Sequence, residues 1–312
     1  MTDEQIQDAL AGLKNSDAKI KKEFTFSDRI LYRRLQKIGR EIYPVDDSVN
    51  KYFLFSRYYF SNRYGGSFVA TFPTMSEEKL QEHGLDDWAF PSLEYNPHAP
   101  QVPGAPGMFY VPDGHASGSW VSKVFRKRDS STNRVFVRLD GGKWLYVGTY
   151  VFAPIESLTP AEFMDQPEEV KRTWAREIKS HSTWGNDVLA RIYFRRRNGT
   201  EPTETELQQI SANRSALNSV SEDEVVAAYS AGEEEFGVFS MTCTGYEADW
   251  IAELVADYPK WLKSRSKSSS KRKTATRTSQ RKAKAVAPRV EIGPRMVTRA
   301  GAKRKVDKLG SE

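Results

Sequence analysis

Every Phe, Tyr and Trp of this 312-residue chain stands at or before Trp261, and the fifty residues after Leu262 have none. That partition constrains the fold more than any motif, because a segment without aromatic residues buries too little apolar surface to offset the entropy of ordering it. Charge divides at the same place. From Lys263 to Glu312 there are 17 Lys or Arg against 3 acids, a net of +14, so Met1 to Leu262 carries −8 within the overall +6. The expectation is a folded body and a disordered basic tail over 263–312. Five prolines between Pro91 and Gly107 mark a linker or a long surface loop. The body is accordingly read as a helical and aromatic subdomain over 1–90, the loop 91–107, and a main domain over 108–262.

Several function classes drop out early. No apolar run approaches the roughly 18 residues of a membrane span, and the polar, acidic start Met1-Thr2-Asp3-Glu4-Gln5 is unlike a secretory signal. The reading is an intracellular, reduced protein with no membrane partner. Cys243 is the single cysteine, which removes disulfide frameworks and Cys-based zinc or iron–sulfur sites; it reads as a small core residue.

Local chemistry sets the expected elements. Thr2-x-x-Gln5 opens a first helix, and Ser27 or Asp28 caps a second, with Arg33, Arg34, Lys37 and Arg40 on its solvated face. The aromatic run Tyr52–Phe60 and the segment Ser67–Phe72 read as two packed strands, or a buried strand and a turn. Short strands follow at Met108–Val111, Ser119–Arg126, Arg134–Leu139 and Lys143–Phe152, the last two joined by an Asp140-Gly141-Gly142 hairpin turn. Alternation places Trp144, Tyr146, Gly148 and Tyr150 on one face. Gly148 suits a sharp bend in a barrel or the close approach of another backbone. Leu158–Phe163 is a helix start with Thr159 as cap and Pro160 at the first position. A helix through Trp174 and Ile178, a strand over Val188–Arg195, helices after Thr203 and Ser221, a strand over Phe236–Thr242 and a last helix capped by Thr244 complete the series. The fold class is α+β: an antiparallel sheet, open or barrel-like, with flanking helices.

The stretch from Pro103-Gly104-Ala105-Pro106-Gly107 through Arg134–Arg138, Lys143–Tyr150, Leu158–Phe163 and Trp174 resembles an uncharacterised domain family of basidiomycete fungi. Its most specific part is the Trp144-x-Tyr146-x-Gly148-x-Tyr150 core, and the likeness covers the middle third of the chain. The resemblance implies a fungal source and a domain of unknown function, and brings no catalytic residues. More remotely, the Pro-Gly turn and the hairpin are similar to parts of β-barrel domains that read modified DNA bases.

The tail carries the main functional signal. Lys271-Arg272-Lys273, Arg281-Lys282-Ala283-Lys284 and Lys303-Arg304-Lys305 are clusters of the type gripped by nuclear import receptors or drawn to nucleic-acid phosphate. Counterion release lets such a tail bind DNA or RNA without sequence preference. Ser264, Ser266, Ser268, Ser269 and Ser270 lie among these cations, where phosphorylation would subtract charge. In the body, Arg126, Lys127 and Arg128 are candidate phosphate contacts, as is the Arg195-Arg196-Arg197 run, with Trp144, Tyr146 or Tyr150 as stacking partners if they are not core. His83, His98, His115 and His181 show no metal-ligand spacing, and neither a nucleophile elbow, a phosphate loop nor a dinucleotide fingerprint occurs. No metal, no cofactor and no enzymatic activity are expected. The reading is a nuclear, nucleic-acid- or chromatin-associated binding protein. The alternative is a protein-interaction scaffold whose tail serves import alone, and the third is a nucleic-acid-processing enzyme using His115 and His181 as an acid/base pair.

Overall fold

The hairpin encoded by Leu139–Lys143 supplies the two central strands of the molecule. The computed structural model describes residues 1–47, 49–114, 132–180 and 184–265. Its strands are β1 (Leu54–Ser56), β2 (Trp88–Ala89), β3 (Gly107–Val111), β4 (Thr132–Asp140), β5 (Lys143–Ile155) and β6 (Gly237–Gly245). They form one mixed sheet in the order β2-β4-β5-β6-β3, with β1 on β5 beside the first part of that strand. The β2–β4 pair is parallel and the named pairings are otherwise antiparallel. β2 and β3 are the two edges and do not pair, so the sheet is open and the barrel-like alternative is overturned. The strand expected over Ser119–Arg126 lies outside the described residues.

The helices are α1 (Asp3–Leu10), α2 (Asp28–Ile38), α3 (Arg57–Tyr64), α4 (Glu77–His83), α5 (Pro160–Met164), α6 (Glu168–Ser180), α7 (Gly185–Asn198), α8 (Glu204–Ser211), α9 (Arg214–Asn218), α10 (Glu222–Ala231) and α11 over 248–265. Thr2, Thr159, Thr203 and Ser221 each close a full capping box, because a hydroxyl three residues before a Gln or Glu satisfies two otherwise orphaned N–H groups. Residues up to Trp261 form one compact unit.

Among the described residues, three clusters of buried side chains hold this unit together. α1, α2 and α5–α10 close over the first, where the Phe26 ring lies parallel to Trp174 at 5.7 Å and Phe236 meets Trp174 edge-on at 5.2 Å. One face of the sheet makes the second, from Val135, Val137, Leu145, Val147 and Met241. The opposite face makes the third, where Phe136, Trp144 and Tyr146 pack on Phe55, Phe60, Trp88 and Leu254. Residues 91–107 take part in this packing: Asn96, His98, Ala99, Gln101 and Ala105 are buried.

The structure corrects four local readings. Tyr52–Phe60 is a three-residue strand followed directly by α3, since Tyr59, Phe60 and Tyr64 seat on the sheet as helical residues; Ser67–Phe72 forms no strand. Val188–Arg195 is helical, within α7. There Val188 to Ile192 are all buried, so the side chains that mimic a two-sided strand belong to a helix enclosed on several sides. β6 runs through Thr244, whose hydroxyl donates to the Thr149 carbonyl at 3.2 Å, and the last helix starts at 248 instead.

The fourth correction concerns Tyr150, which shares the face of Leu145 and Val147 rather than that of Trp144 and Tyr146. Register shifts interrupt the pairing of β5 with β4 at Val135/Phe136 and with β6 at Thr149/Tyr150. Between them Gly148 has φ +132°, and a Cβ there would stand 2.8 Å from both Cys243 Sγ and the Gly245 carbonyl oxygen. Of the two roles open to Gly148, the close approach of another backbone is the one it fills.

Candidate functional site

The aromatic residues of β5 sit in the core. Trp144, Tyr146 and Tyr150 are 8 %, 1 % and 0 % exposed, so none presents a ring face to a nucleic-acid base. Trp144 meets Phe90 edge-on at 5.6 Å, and the Tyr150 hydroxyl donates to the Ala105 carbonyl at 2.8 Å, pinning the Pro-Gly segment to the sheet. Burial pushes the Tyr150 phenol well above its usual range.

Many arginines of the body are held by its own carboxylates. Arg195, Arg196 and Arg197 occupy the last turn of α7, not a strand end. Arg195 reaches Glu201 and Glu234, Arg196 reaches Glu224, and Arg197 donates to the Tyr193 hydroxyl. Deeper on α7, Arg191 Nη2 lies 2.6 Å from Glu234 Oε2 and 2.8 Å from Asp113 Oδ1, with all three side chains buried. Burial works against the Arg191 charge, but the hydrogen bonds and charges of Glu234 and Asp113 outweigh it and raise its pKa. Burial raises the Asp113 carboxyl, although Arg191 pulls it back. Arg134 bridges Asp87 at 2.5 Å and Glu247 at 2.6 Å, and Arg138 pairs with Glu94 at 2.7 Å.

Arg34 departs from the solvated face assigned to it. It is 6 % exposed, pairs with Glu162 at 2.8 Å and donates to the Glu156 and Ser157 carbonyls. Arg57 is also buried, and its cation stacks 3.3 Å above the Phe90 ring while it donates to the Ser67 carbonyl at 2.6 Å. Burial pushes its pKa down to about 9.

Arg126, Lys127 and Arg128, together with Lys271, Arg272, Lys273, Arg281, Lys282, Lys284, Lys303, Arg304 and Lys305, lie outside the described residues. So do His115 and His181. Among the described residues no group of three or more His, Cys, Asp and Glu side chains is placed to hold a metal ion, and no helix is long and apolar enough to cross a membrane. The Arg191–Glu234–Asp113 network joins residues 43 and 78 apart in the chain, and no local sequence signal marks it or the burial of His98.

An open mixed sheet with a helical layer around Trp174, and a polar interior knit by arginine–carboxylate pairs, defines the body as an α+β domain. The chain belongs to the family of the domain of unknown function DUF6697, which spans residues 54–257. That span reaches well beyond the middle third of the chain. No curated protein and no solved structure matches it at a significant level.

Proposed function

We propose that the protein is a nucleic-acid- or chromatin-associated binding protein of the nucleus, whose basic tail supplies the contact with phosphate and with an import receptor. The observation that supports this reading is the separation of charge. In the body Arg34, Arg134, Arg138, Arg191 and Arg195 each face a carboxylate of the same chain, and the net charge is −8, which opposes a polyanion. The tail sets 17 cations against 3 acids. Its affinity is then electrostatic and sequence-tolerant, with the body carried along the nucleic acid rather than reading it. Arg126, Lys127 and Arg128 are a second contact. On the Trp144-x-Tyr146-x-Gly148-x-Tyr150 core we place the source among basidiomycete fungi.

The test is DNA binding by the full chain as a function of salt, beside a variant in which the nine clustered tail cations become Gln. Each neutralised phosphate contributes about −0.9 to the log–log slope, so the variant should lose most of the salt dependence. An unchanged slope moves the contact into the body and refutes the proposal. Nuclear accumulation without any DNA or RNA binding turns the reading to the scaffold with an import tail.

A further inference from the structure

α2 and α5 face each other across a groove of about 810 Å³, a volume in the range of small-molecule sites. Buried polar contacts fix its floor. At one end Arg34 donates to the Ser157 carbonyl at 2.9 Å and pairs with Glu162 at 2.8 Å. At the other, the Gln166 amide accepts the Ser27 N–H at 2.9 Å and donates to the Glu162 carbonyl at 2.6 Å. Arg34 and Gln166 are 6 % and 4 % exposed, so the two helices are spaced by locked side chains and the groove is formed before anything enters it.

The wall of the groove is mainly apolar, and two of its members, Ile38 and Ile155, stay partly open to water. Charge lies on two banks. α2 brings Arg29, Arg33 and Lys37 at i, i+4 spacing, and the facing bank brings Glu156, Glu162 and Asp165. Internal pairs occupy most of these groups. Arg29 reaches Asp3 at 2.6 Å, Lys37 reaches Glu156 at 3.5 Å, and Glu162 holds Arg34. Among the described residues, Arg33 is the lining cation left without an ion pair, and Asp165 the lining acid. Both are exposed.

An apolar trough with one spare guanidinium on its rim fits an amphiphile that carries a single negative charge. The planar fork of Arg33 matches a carboxylate, which accepts two parallel N–H···O bonds from it. Glu156 and Asp165 on the facing bank oppose a second negative charge, which disfavours phosphate esters and the polyanion proposed for the tail. An ammonium group would meet Asp165 but also the cations of α2. We propose that the groove between α2 and α5 binds a small monocarboxylic acid with an apolar body, its carboxylate on Arg33 and its hydrocarbon on Ile38 and Ile155.

Octanoate, octanol and octylammonium share a chain length and differ in head charge. They test this on the full-length protein by NMR titration at neutral pH, with the Arg33 side-chain resonances as reporter. Octanoate should bind saturably, shift those resonances and bind about fivefold more tightly than octanol, the most that an ion pair open to water contributes. Octylammonium should bind most weakly. Arg33 is exposed and unpaired, so Arg33→Gln should fold as wild type and lose the preference for octanoate, while Asp165→Asn should keep or widen it. Cations of the tail would hold octanoate equally in wild type and Arg33→Gln, so a preference that survives in that variant overturns the proposal. Equal affinities for octanoate and octanol, a preference for octylammonium, or no saturable binding below the micellar concentration of octanoate overturns it as well.

Discussion

Glu234 is the point where the body has most to lose from a single charge. Its side chain is 1 % exposed and faces two guanidinium groups. From Arg191 it accepts Nε at 3.0 Å and Nη2 at 2.6 Å, and from Arg195 it accepts Nη2 at 2.6 Å. Glu234→Gln keeps the volume and removes the charge, and the new amide turns N–H groups toward cations that are themselves donors. Arg191, 8 % exposed, is left with Asp113 alone. Removing one partner of a buried ion pair costs about 3–5 kcal/mol, since the remaining charge stays desolvated without compensation. For a body of this size, each kcal/mol lowers the melting temperature by about 2–4 °C, so the expected fall is about 6–20 °C. Glu224→Gln is the matched control. Its partner Arg196 is 39 % exposed, and such a pair contributes about 0–1 kcal/mol. Differential scanning calorimetry of the three proteins at neutral pH decides the matter. A Glu234→Gln melting temperature within a degree or two of wild type would mean that water reaches Arg191, and the argument from burial would fail.

The other expectations concern His98 and β5. Because the folded pKa of His98 is lowered from 6.5 to about 4, the unfolded chain takes up its proton first as pH falls. Stability should therefore decline by about 3 kcal/mol between those two pH values; a wild-type minus His98→Gln difference in denaturant midpoints that stays flat with pH rejects this. Gly148→Ala forces a side chain into positive φ and into contact with Cys243 Sγ. It should cost on the order of 1–3 kcal/mol, whereas Gly12→Ala, with nothing within 4 Å of the added Cβ, should be near neutral in the same urea titration. Trp144→Ala should cost roughly 3–5 kcal/mol as a core truncation, and a variant that melts like wild type while losing DNA affinity would return Trp144 to the role of a stacking platform.

What the sequence discloses is what is local. The capping boxes at Thr2, Thr159, Thr203 and Ser221 and the Asp140-Gly141-Gly142 turn depend on residues three or four apart, and all form as the pattern predicts. The strand expected over Val188–Arg195 follows the alternation of Val188, Ala190, Ile192 and Phe194, although the end of α7 carries a helix signal: Arg195, Arg196 and Arg197 in the last turn, then Gly199 with φ +69°. The face of Tyr150 cannot be counted from the sequence because β5 carries an extra residue against β4, where Tyr146 and Gly148 pair with the adjacent residues Phe136 and Val135, and only the partner strand reveals it. The polar groups with most chemistry are also the least local. Arg191 meets Glu234 from 43 residues away, and His98 meets Asp28 only once residues 91–107 fold back on α2.

β5 is bonded along both edges, to β4 on one side and to β1 and then β6 on the other. The β1 and β6 partners each lie about ninety residues away in the chain, so completing the sheet demands two long loop closures before either is rewarded by pairing. Assembly of this body should accordingly be slow for its size. Once assembled, the amides of β5 can reach solvent only by dismantling strands on both flanks. Their hydrogen–deuterium exchange should follow global unfolding, while β2, two residues long at an edge, exchanges through local opening. The same topology places α5–α10 inside the second of these loops, whose ends meet where Ile155 pairs with Val238. The helical layer is thus an excursion that starts and finishes at one point of the sheet, and additions to its outer turns lengthen that loop with only a logarithmic penalty.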